Sequence, residues 1–243
     1  MQIFTIHEVS KHLLTQELET DLDTNLFTSD HDGHGRMSGD DRRKQILQTA
    51  FDLFSRRGFS GTTTKDIAKA AGVSEAMVFK HFASKDELYR ALVDAKTCHE
   101  GFKKYPWEEN EGVIAAMAAK DDFGVFYHFA LKALNKHQED VAFMRMIFYS
   151  ALEGHEIAER FFQTFVGEIY NFLGGYIKTR QKDKAFRKVE PRIVVRAFLG
   201  MMIHHSLNNI LWDKKRTLLD IPNEEAAKNF AQIILQGVAV QEG

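Results

Sequence analysis

The chain has 243 residues, of which 44% are hydrophobic and 27% are charged, as in average globular proteins, so the composition argues against a disordered or fibrous class. No run approaches the roughly 18 apolar residues of a membrane span, and the start lacks the features of a secretory signal, so we expect a cytoplasmic protein. The single cysteine, Cys98, excludes a disulfide framework and a multi-thiolate metal site.

The formal net charge of −2 is unevenly distributed along the chain. Residues 1–35 contain one basic and seven acidic residues, whereas residues 36–104 contain fourteen basic and nine acidic residues. A local positive excess on an acidic chain is typical of a nucleic-acid-binding module, although basic segments are also often only solvated surface.

Residues 1–36 form an acidic extension that ends in the loose stretch SDHDGHGR. An amphipathic helix is compatible with the spacing of its apolar residues, namely Val9, Leu13, Leu14, Leu18 and Leu22. The sequence from Met37, MSGDDRRKQ, is typical of a natural protein start. Residues 1–36 are therefore either an additional arm or the result of a start codon assigned too far upstream.

Helical spacing of apolar residues dominates the rest of the chain. Ile46, Ala50 and Phe54 lie on one face of a helix that should end at Gly58, and no segment shows strand alternation. Each of the three prolines falls where a helical pattern must start or stop. We therefore predict an all-α fold, with a small domain over residues 37–104 and a larger one over residues 105–243.

Residues 58–88, GFSGTTTKDIAKAAGVSEAMVFKHFASKDEL, contain the start and stop signals of two short helices. Thr63 and Asp66 resemble a capping box for a helix from Thr64 to about Ala71, and Gly72 supplies the left-handed residue that ends it. Ser74 should cap a second helix, from Glu75 to about Phe82. Small and apolar residues at the crossing predict a helix-turn-helix.

The second helix leaves a set of side chains outside the core, as a recognition helix in a DNA major groove requires. These residues are Glu75, Ala76, Met77, Phe79, Lys80 and His81. A three-helix bundle that only looks like a recognition unit is the alternative. Single residues also have simpler roles: Thr63 as a cap alone, and His81 as surface.

The pattern TTxxDIAxxAGVSxxxxFxHFxxKxxL, within residues 42–95, resembles the DNA-binding domain of the tetracycline-repressor (TetR) family. The resemblance implies a homodimeric regulator that binds a palindromic operator in double-stranded DNA and holds a small-molecule effector in its C-terminal domain. It implies phosphate contacts from Thr62, Thr63, Lys65 and Lys85, and contacts of Phe79 and His81 with the phosphate strand. Bases or flanking backbone would be contacted by Ser74, Glu75, Ala76, Met77 and Lys80.

Two positions depart from the family's usual pattern. Phe79 replaces a tyrosine, so a hydroxyl contact to phosphate is lost. Met77 replaces a smaller residue and favours an apolar contact such as a thymine methyl group.

From Asp122 onward the chain is rich in aromatic residues and methionine, which suits a helical bundle with a mainly apolar ligand pocket. We expect a mainly apolar effector, bound by Phe126, Tyr127, Phe148, Tyr149, His155, Phe165, Met201, His205 and Asn208. Each of these residues alone has the alternative role of an ordinary core or surface residue.

Long helices are expected at about residues 156–181 and 191–212. The resemblance implies that they pair across a two-fold axis, with Phe165 and Phe172 on one ridge and Val194 and Phe198 on the other. The alternative is that both helices only cover the core of their own chain.

Sequence motifs for catalysis are missing from the chain: it has no GxSxG, HExxH, P-loop or CxxC. His204 and His205 are adjacent on a helix and point apart, so they are poor metal ligands. We therefore expect no enzyme activity, no cofactor and no metal. A ligand-independent DNA-binding or interaction protein remains the main alternative, and the sequence does not distinguish a repressor from an activator.

Overall fold

The computed structural model describes residues 37–97 and 105–240. The predicted extension over residues 1–36 lies outside these residues, as does Cys98. Within the described ranges, the secondary structure is helical apart from turns and one isolated antiparallel bridge between Phe186 and Ala239. The predicted all-α class is confirmed. None of the helices in these ranges is long and apolar enough to cross a membrane.

Residues 37–97 contain four helices: α1 (Gly39–Arg57), α2 (Thr64–Ala70), α3 (Glu75–His81) and α4 (Lys85–Thr97). Ser38 caps α1 by accepting from the Asp41 amide, and α1 ends at Gly58, whose φ is +72°. The apolar face that the sequence predicts for α1 is buried, including Ile46, Ala50 and Phe54.

The C-terminal body contains α5 (Glu111–Ala119), α6 (Asp122–Glu139), α7 (Val141–Leu152), α8 (Glu156–Phe161), α9 (Gly167–Lys182), α10 (Pro191–Leu207) and α11 (Asn223–Val238). Pro191 occupies the first turn of α10, where its missing amide hydrogen costs nothing. Asp121 and Asp140 cap α6 and α7 with their carboxylates.

Both long helices expected from the sequence contain a π-helical turn. Phe162–Val166 joins α8 to α9, and Asn208–Trp212 follows α10. A π turn inserts one extra residue per turn and rotates the following side chains, so the apolar spacing of an ordinary helix does not predict it.

Helix α6 lies at the centre of the body and packs against α5, α10 and α11. Phe126 on α6 meets Phe198 on α10 edge to face, with ring centroids 5.0 Å apart. Val194 and Phe198 are buried in this core. This ridge of α10 therefore covers the core of its own chain, as the alternative interpretation of the sequence predicted. It is not an intersubunit surface.

His137 joins α6 to α10, because its Nδ1 lies 2.9 Å from the Ser206 hydroxyl. Burial lowers the pKa of His137 from 6.5 to about 4. Below pH 6.5 the unfolded chain binds a proton at this residue while the folded chain does not, until the pH approaches 4. Lowering the pH from about 6.5 to about 4 therefore decreases the free energy of unfolding.

We predict that His137→Gln reduces the loss of unfolding free energy between pH 7 and pH 5 by about 2 kcal/mol. Glutamine retains a hydrogen-bonding group but does not titrate. Urea unfolding of both proteins at the two pH values measures the difference. If the wild type and the variant lose the same unfolding free energy, the pKa of His137 does not differ between the folded and the unfolded chain.

Candidate functional site

Helices α2 and α3 have the caps that the sequence predicts. Thr63 accepts from the Asp66 amide, and the Asp66 carboxylate accepts from the Thr63 amide, so the capping box is complete. Gly72 has a φ of +66°, and the Ser74 hydroxyl accepts from the Met77 amide at 3.2 Å. Val78 and Phe82 are buried against the rest of the domain. These contacts fix the orientation of α3.

The outer face of α3 and its cap is exposed. Solvent reaches Ser74, Glu75, Ala76, Phe79 and Lys80, whereas Met77 and His81 are half-buried. The Phe79 ring is 47% exposed, although burial of an aromatic ring is favourable. Thr63 and Lys65, at the start of α2, are exposed as well.

Glu75 connects the starts of the two helices. Its carboxylate accepts from the Thr64 hydroxyl at 2.5 Å. Neither Lys65 nor Lys80 forms an ion pair with Glu75. The charges of Lys65 and Lys80 are therefore directed to solvent.

Two predicted phosphate ligands have structural partners instead. Thr62 is fully buried, and its hydroxyl donates to the Gly58 carbonyl at 2.9 Å. The Lys85 ammonium donates to the carbonyls of Phe59 and Thr62 at 2.9 and 3.0 Å. It also lies 3.8 Å from the centroid of the Phe59 ring, and burial lowers the pKa of Lys85. In this conformation the Thr62 side chain is not accessible to DNA, which corrects that part of the prediction.

The segment between α1 and α2, residues 58–62, is also bound from the body. The Glu153 carboxylate, just after α7, accepts from the amides of Phe59 and Ser60 at 3.1 and 3.2 Å. A Cβ atom on Gly58 would lie 2.5 Å from that carboxylate, and its φ favours glycine independently. We call residues 58–62 together with Lys85 and Glu153 the junction.

Two residues predicted to bind the effector lie at this junction. The His155 ring lies 4.1 Å from the Phe59 ring, and its Nε2 is 3.3 Å from the Asp86 carboxylate. The Tyr149 hydroxyl lies 3.4 Å from the Arg56 carbonyl, which it can reach as a donor. Both residues therefore connect the two halves of the molecule.

The other residues of that set are dispersed over the body. Phe126 is in the core, and Phe165 packs edge to face on Trp107 at 5.2 Å. Phe148 is exposed, whereas Asn208 donates to the His204 carbonyl. Tyr127 and Met201 are half-buried beside the core. The structure does not bring the nine predicted residues together.

A cavity of about 220 Å³ lies between α6, α7, α10 and the segment that leads to α11. Of the predicted set, only His205 lines it. Its apolar wall consists of Leu134, Val141 and Ile210. Its polar residues are Gln138, Arg145, Ser206, Asn209, Arg216 and Asn223, in addition to His205. This lining is more polar and more basic than the expected mainly apolar pocket.

Arg145 and Arg216 were not among the residues predicted from the sequence, although Arg145 is conspicuous in it. It interrupts the apolar run VAFMRMIFYS, where an arginine is costly to bury and so indicates a specific role. Arg216 is in a polar loop, and no feature of the sequence distinguishes it from its neighbours. Arg43 of α1, which lies 4.7 Å from the Phe82 ring beside α3, was missed too. Over the described part of the chain, no cluster of side chains suits a metal ion.

Comparison with known proteins agrees with the helix-turn-helix interpretation. Residues 46–92 match the model of the family described as bacterial regulatory proteins, tetR family. The chain is 41% identical over 58 residues to the uncharacterized HTH-type transcriptional regulator YvkB of Bacillus subtilis, which is 24% of this chain and 31% of that protein. It is 47% identical over 49 residues to the HTH-type transcriptional repressor Rv3405c of Mycobacterium tuberculosis, which is 20% of this chain and 26% of that protein. These matches cover less than a third of the relatives' lengths.

The fold of the whole body is similar to that of solved structures. NalD of Pseudomonas aeruginosa, described as the secondary repressor of the MexAB-OprM multidrug efflux pump, superposes with a TM-score of 0.61 at 20% identity. The superposition covers 82% of this chain and 96% of NalD. At this identity the similarity shows the fold alone.

We predict that Lys85→Met lowers the free energy of unfolding by about 1–3 kcal/mol, because two carbonyl groups lose a charged donor. Lys65→Met, at an exposed position, should change it by less than about 0.5 kcal/mol. Denaturant titration without DNA measures both. If the two variants are equally stable, the Lys85 contacts do not stabilise the junction.

Proposed function

We propose that this chain, whose residues 46–92 match the tetR family of bacterial regulatory proteins, is a cytoplasmic, homodimeric transcriptional regulator that binds a palindromic operator. The observation that carries this proposal is the exposed face of α3, held by two capped helices and bordered by lysines without ion-pair partners in the described ranges. No catalytic role is proposed for any residue.

Phosphate contacts are proposed for the exposed residues around α3. Thr63 and Lys65 lie at the start of α2, and Lys80 lies near the end of α3. Such contacts release condensed counterions and position the protein without selecting a sequence. Thr62 is left out of this set, and the Lys85 ammonium, which donates to two carbonyls, has one N–H left for a phosphate.

Sequence selection is proposed for α3 itself. Glu75, Ala76, Met77 and Lys80 would contact base edges or flanking backbone, with Ser74 at the helix start. Phe79 and His81 would contact the phosphate strand, where burial of the exposed Phe79 ring is favourable.

Dimerisation is proposed through a stripe on α10 that the body's own core does not cover. Ile193, Ala197, Gly200 and His204 are exposed at spacings of four, three and four residues, which is one face of a helix. Ile193 is 57% exposed, and Ile233 of α11 is 55% exposed. Small residues at two of the four positions permit close approach of a second copy. A two-fold dimer would place two α3 helices in successive major grooves.

Effector-dependent release is proposed through α7. Val141 and Arg145 of this helix line the cavity. The Met146 carbonyl accepts from the Tyr89 hydroxyl of α4 at 3.0 Å, and Glu153 accepts from the Phe59 amide in the junction. A ligand that prefers a different position of α7 would therefore move α3 relative to its partner copy, and DNA would weaken the binding of that ligand by the same factor. A protein that keeps its operator in the presence of every ligand would instead be the ligand-independent DNA-binding protein.

We predict that Lys80→Ala and Met77→Ala each cost about 1–3 kcal/mol of binding free energy on the best operator and relax the preference at particular base pairs. Lys65→Ala should weaken operator and scrambled duplexes alike and reduce the salt slope by about one. Competition binding at two salt concentrations separates these effects. Equal losses on both DNAs for the α3 variants would mean that α3 does not select the sequence.

We predict that Ala197→Glu converts the dimer into a monomer, because it places a carboxylate in the centre of a closely packed interface. Ala118→Glu, at an exposed position of α5, is the matched control and should remain dimeric. Sedimentation equilibrium measures the mass of each variant, and operator binding should be lost only for Ala197→Glu. A dimeric Ala197→Glu protein would place the interface elsewhere.

A further inference from the structure

The cavity between α6, α7 and α10 has an excess of positive charge that the protein itself does not neutralise. Arg145 and Arg216 line it, and neither guanidinium group forms an ion pair or a hydrogen bond within residues 37–97 and 105–240. Arg145 is half-buried, and this burial lowers the pKa of its guanidinium group. A charge in this position is costly unless a partner compensates it.

Two buried carboxylates close to the cavity in sequence are already occupied. Asp140, next to Val141, is buried with the Lys96 ammonium and caps α7 through the Phe143 amide. Asp213 accepts from the amides of Thr217, Leu218 and Leu219 and from the Thr217 hydroxyl. Neither carboxylate is among the groups that line the cavity.

The loop before α11 presents Arg216 in an uncommon backbone conformation. Its φ is +52°, a left-handed value that non-glycine residues rarely adopt and that costs free energy. The contacts of Asp213 hold this loop, and the Arg216 amide donates to the Asp213 carbonyl at 2.8 Å. An arginine therefore occupies a position that would favour glycine.

The neutral polar groups add hydrogen-bond donors. Asn223 donates to the Gln138 side-chain oxygen at 2.8 Å, which leaves the Gln138 amide hydrogens available to a ligand. Burial and the nearby Arg216 lower the pKa of His205, so this ring is neutral near pH 7. The cavity thus offers two guanidinium groups, an amide donor and one apolar wall.

We propose that this cavity binds a small organic anion, a carboxylate or a phosphate ester with a short apolar portion, through Arg145 and Arg216. Guanidinium groups match both kinds of anion with paired hydrogen bonds. The volume of about 220 Å³ is below the roughly 300–1,000 Å³ of drug-sized sites, so the ligand is small. We further propose that this anion is the effector, because α7 lines the cavity and also contacts the DNA-binding domain. This further statement rests on the proposed function.

The test uses the full-length protein without DNA and calorimetric titration with benzoate, adipate and phenyl phosphate. The neutral controls are benzamide and adipamide, which keep the shapes of the carboxylates without their charge. We expect at least one anion to bind and the neutral compounds to bind about tenfold more weakly or not at all. If no anion of this panel binds, or if the amides bind equally well, the proposal is wrong.

Variants locate the binding. Arg145→Met and Arg216→Gly should each weaken the best anion about tenfold or more. Glycine accepts the positive φ at residue 216, so that variant keeps the loop conformation. Lys184→Gly is the matched control, because Lys184 also has a positive φ, +62°, but does not line the cavity. Anion binding that survives both arginine variants, or that Lys184→Gly also abolishes, overturns the assignment to this cavity.

A separate experiment tests whether the anion acts as the effector. A bound anion should lower the affinity for a selected operator, and Arg145→Met should abolish that effect without abolishing operator binding. If the anion binds and the operator affinity is unchanged, the site stands and its effector role is wrong. If the ligand-free protein binds no operator, the proposed function fails while the calorimetric result still decides the anion site.

Discussion

The junction between α1 and α2 is the constraint on which the geometry of the molecule depends. Residues 58–62 have few side chains of their own that could fix them, so two charged groups from elsewhere bind their backbone. The Lys85 ammonium accepts no hydrogen bond and donates to two carbonyls, whereas the Glu153 carboxylate accepts from two amides. Together they fix the start of α2 relative to both α4 and the body.

Gly58 makes this arrangement sterically feasible. A side chain there would collide with the Glu153 carboxylate, and its left-handed backbone directs the chain into the junction. The ring of Phe59 contacts both the Lys85 ammonium and the His155 ring, so the junction is partly shielded from water. Hydrogen bonds to charged groups are stronger in such surroundings than at an open surface.

The distribution of paired and unpaired charges separates structure from binding in this protein. Arg180 forms two hydrogen bonds with the Asp122 carboxylate, at 2.7 and 2.9 Å, and Tyr176 donates to the same group. Lys96 is buried with Asp140 between α4 and α7. Lys65, Lys80, Arg145 and Arg216 have no comparable partner within the described residues, and they occupy the two surfaces for which ligands are proposed. Helix α7 connects these surfaces, because Val141 and Arg145 line the cavity and Glu153, just after the helix, binds the backbone of Phe59 and Ser60.

The sequence alone determined the helical class, the caps of α2 and α3 and the outer face of α3. These features depend on residues at most a few positions apart, such as Thr63 with Asp66, so local spacing contains the needed information. The tertiary structure decided the roles of Thr62, Lys85, Tyr149 and His155, because their partners are distant in the chain or are backbone groups that no residue type reveals. The tertiary structure also determined where the cavity lies and which residues line it. The sequence predicted a pocket of aromatic residues, but helical spacing cannot distinguish an aromatic side chain in a packed core from one that lines a space, since both lie on the apolar face of a helix.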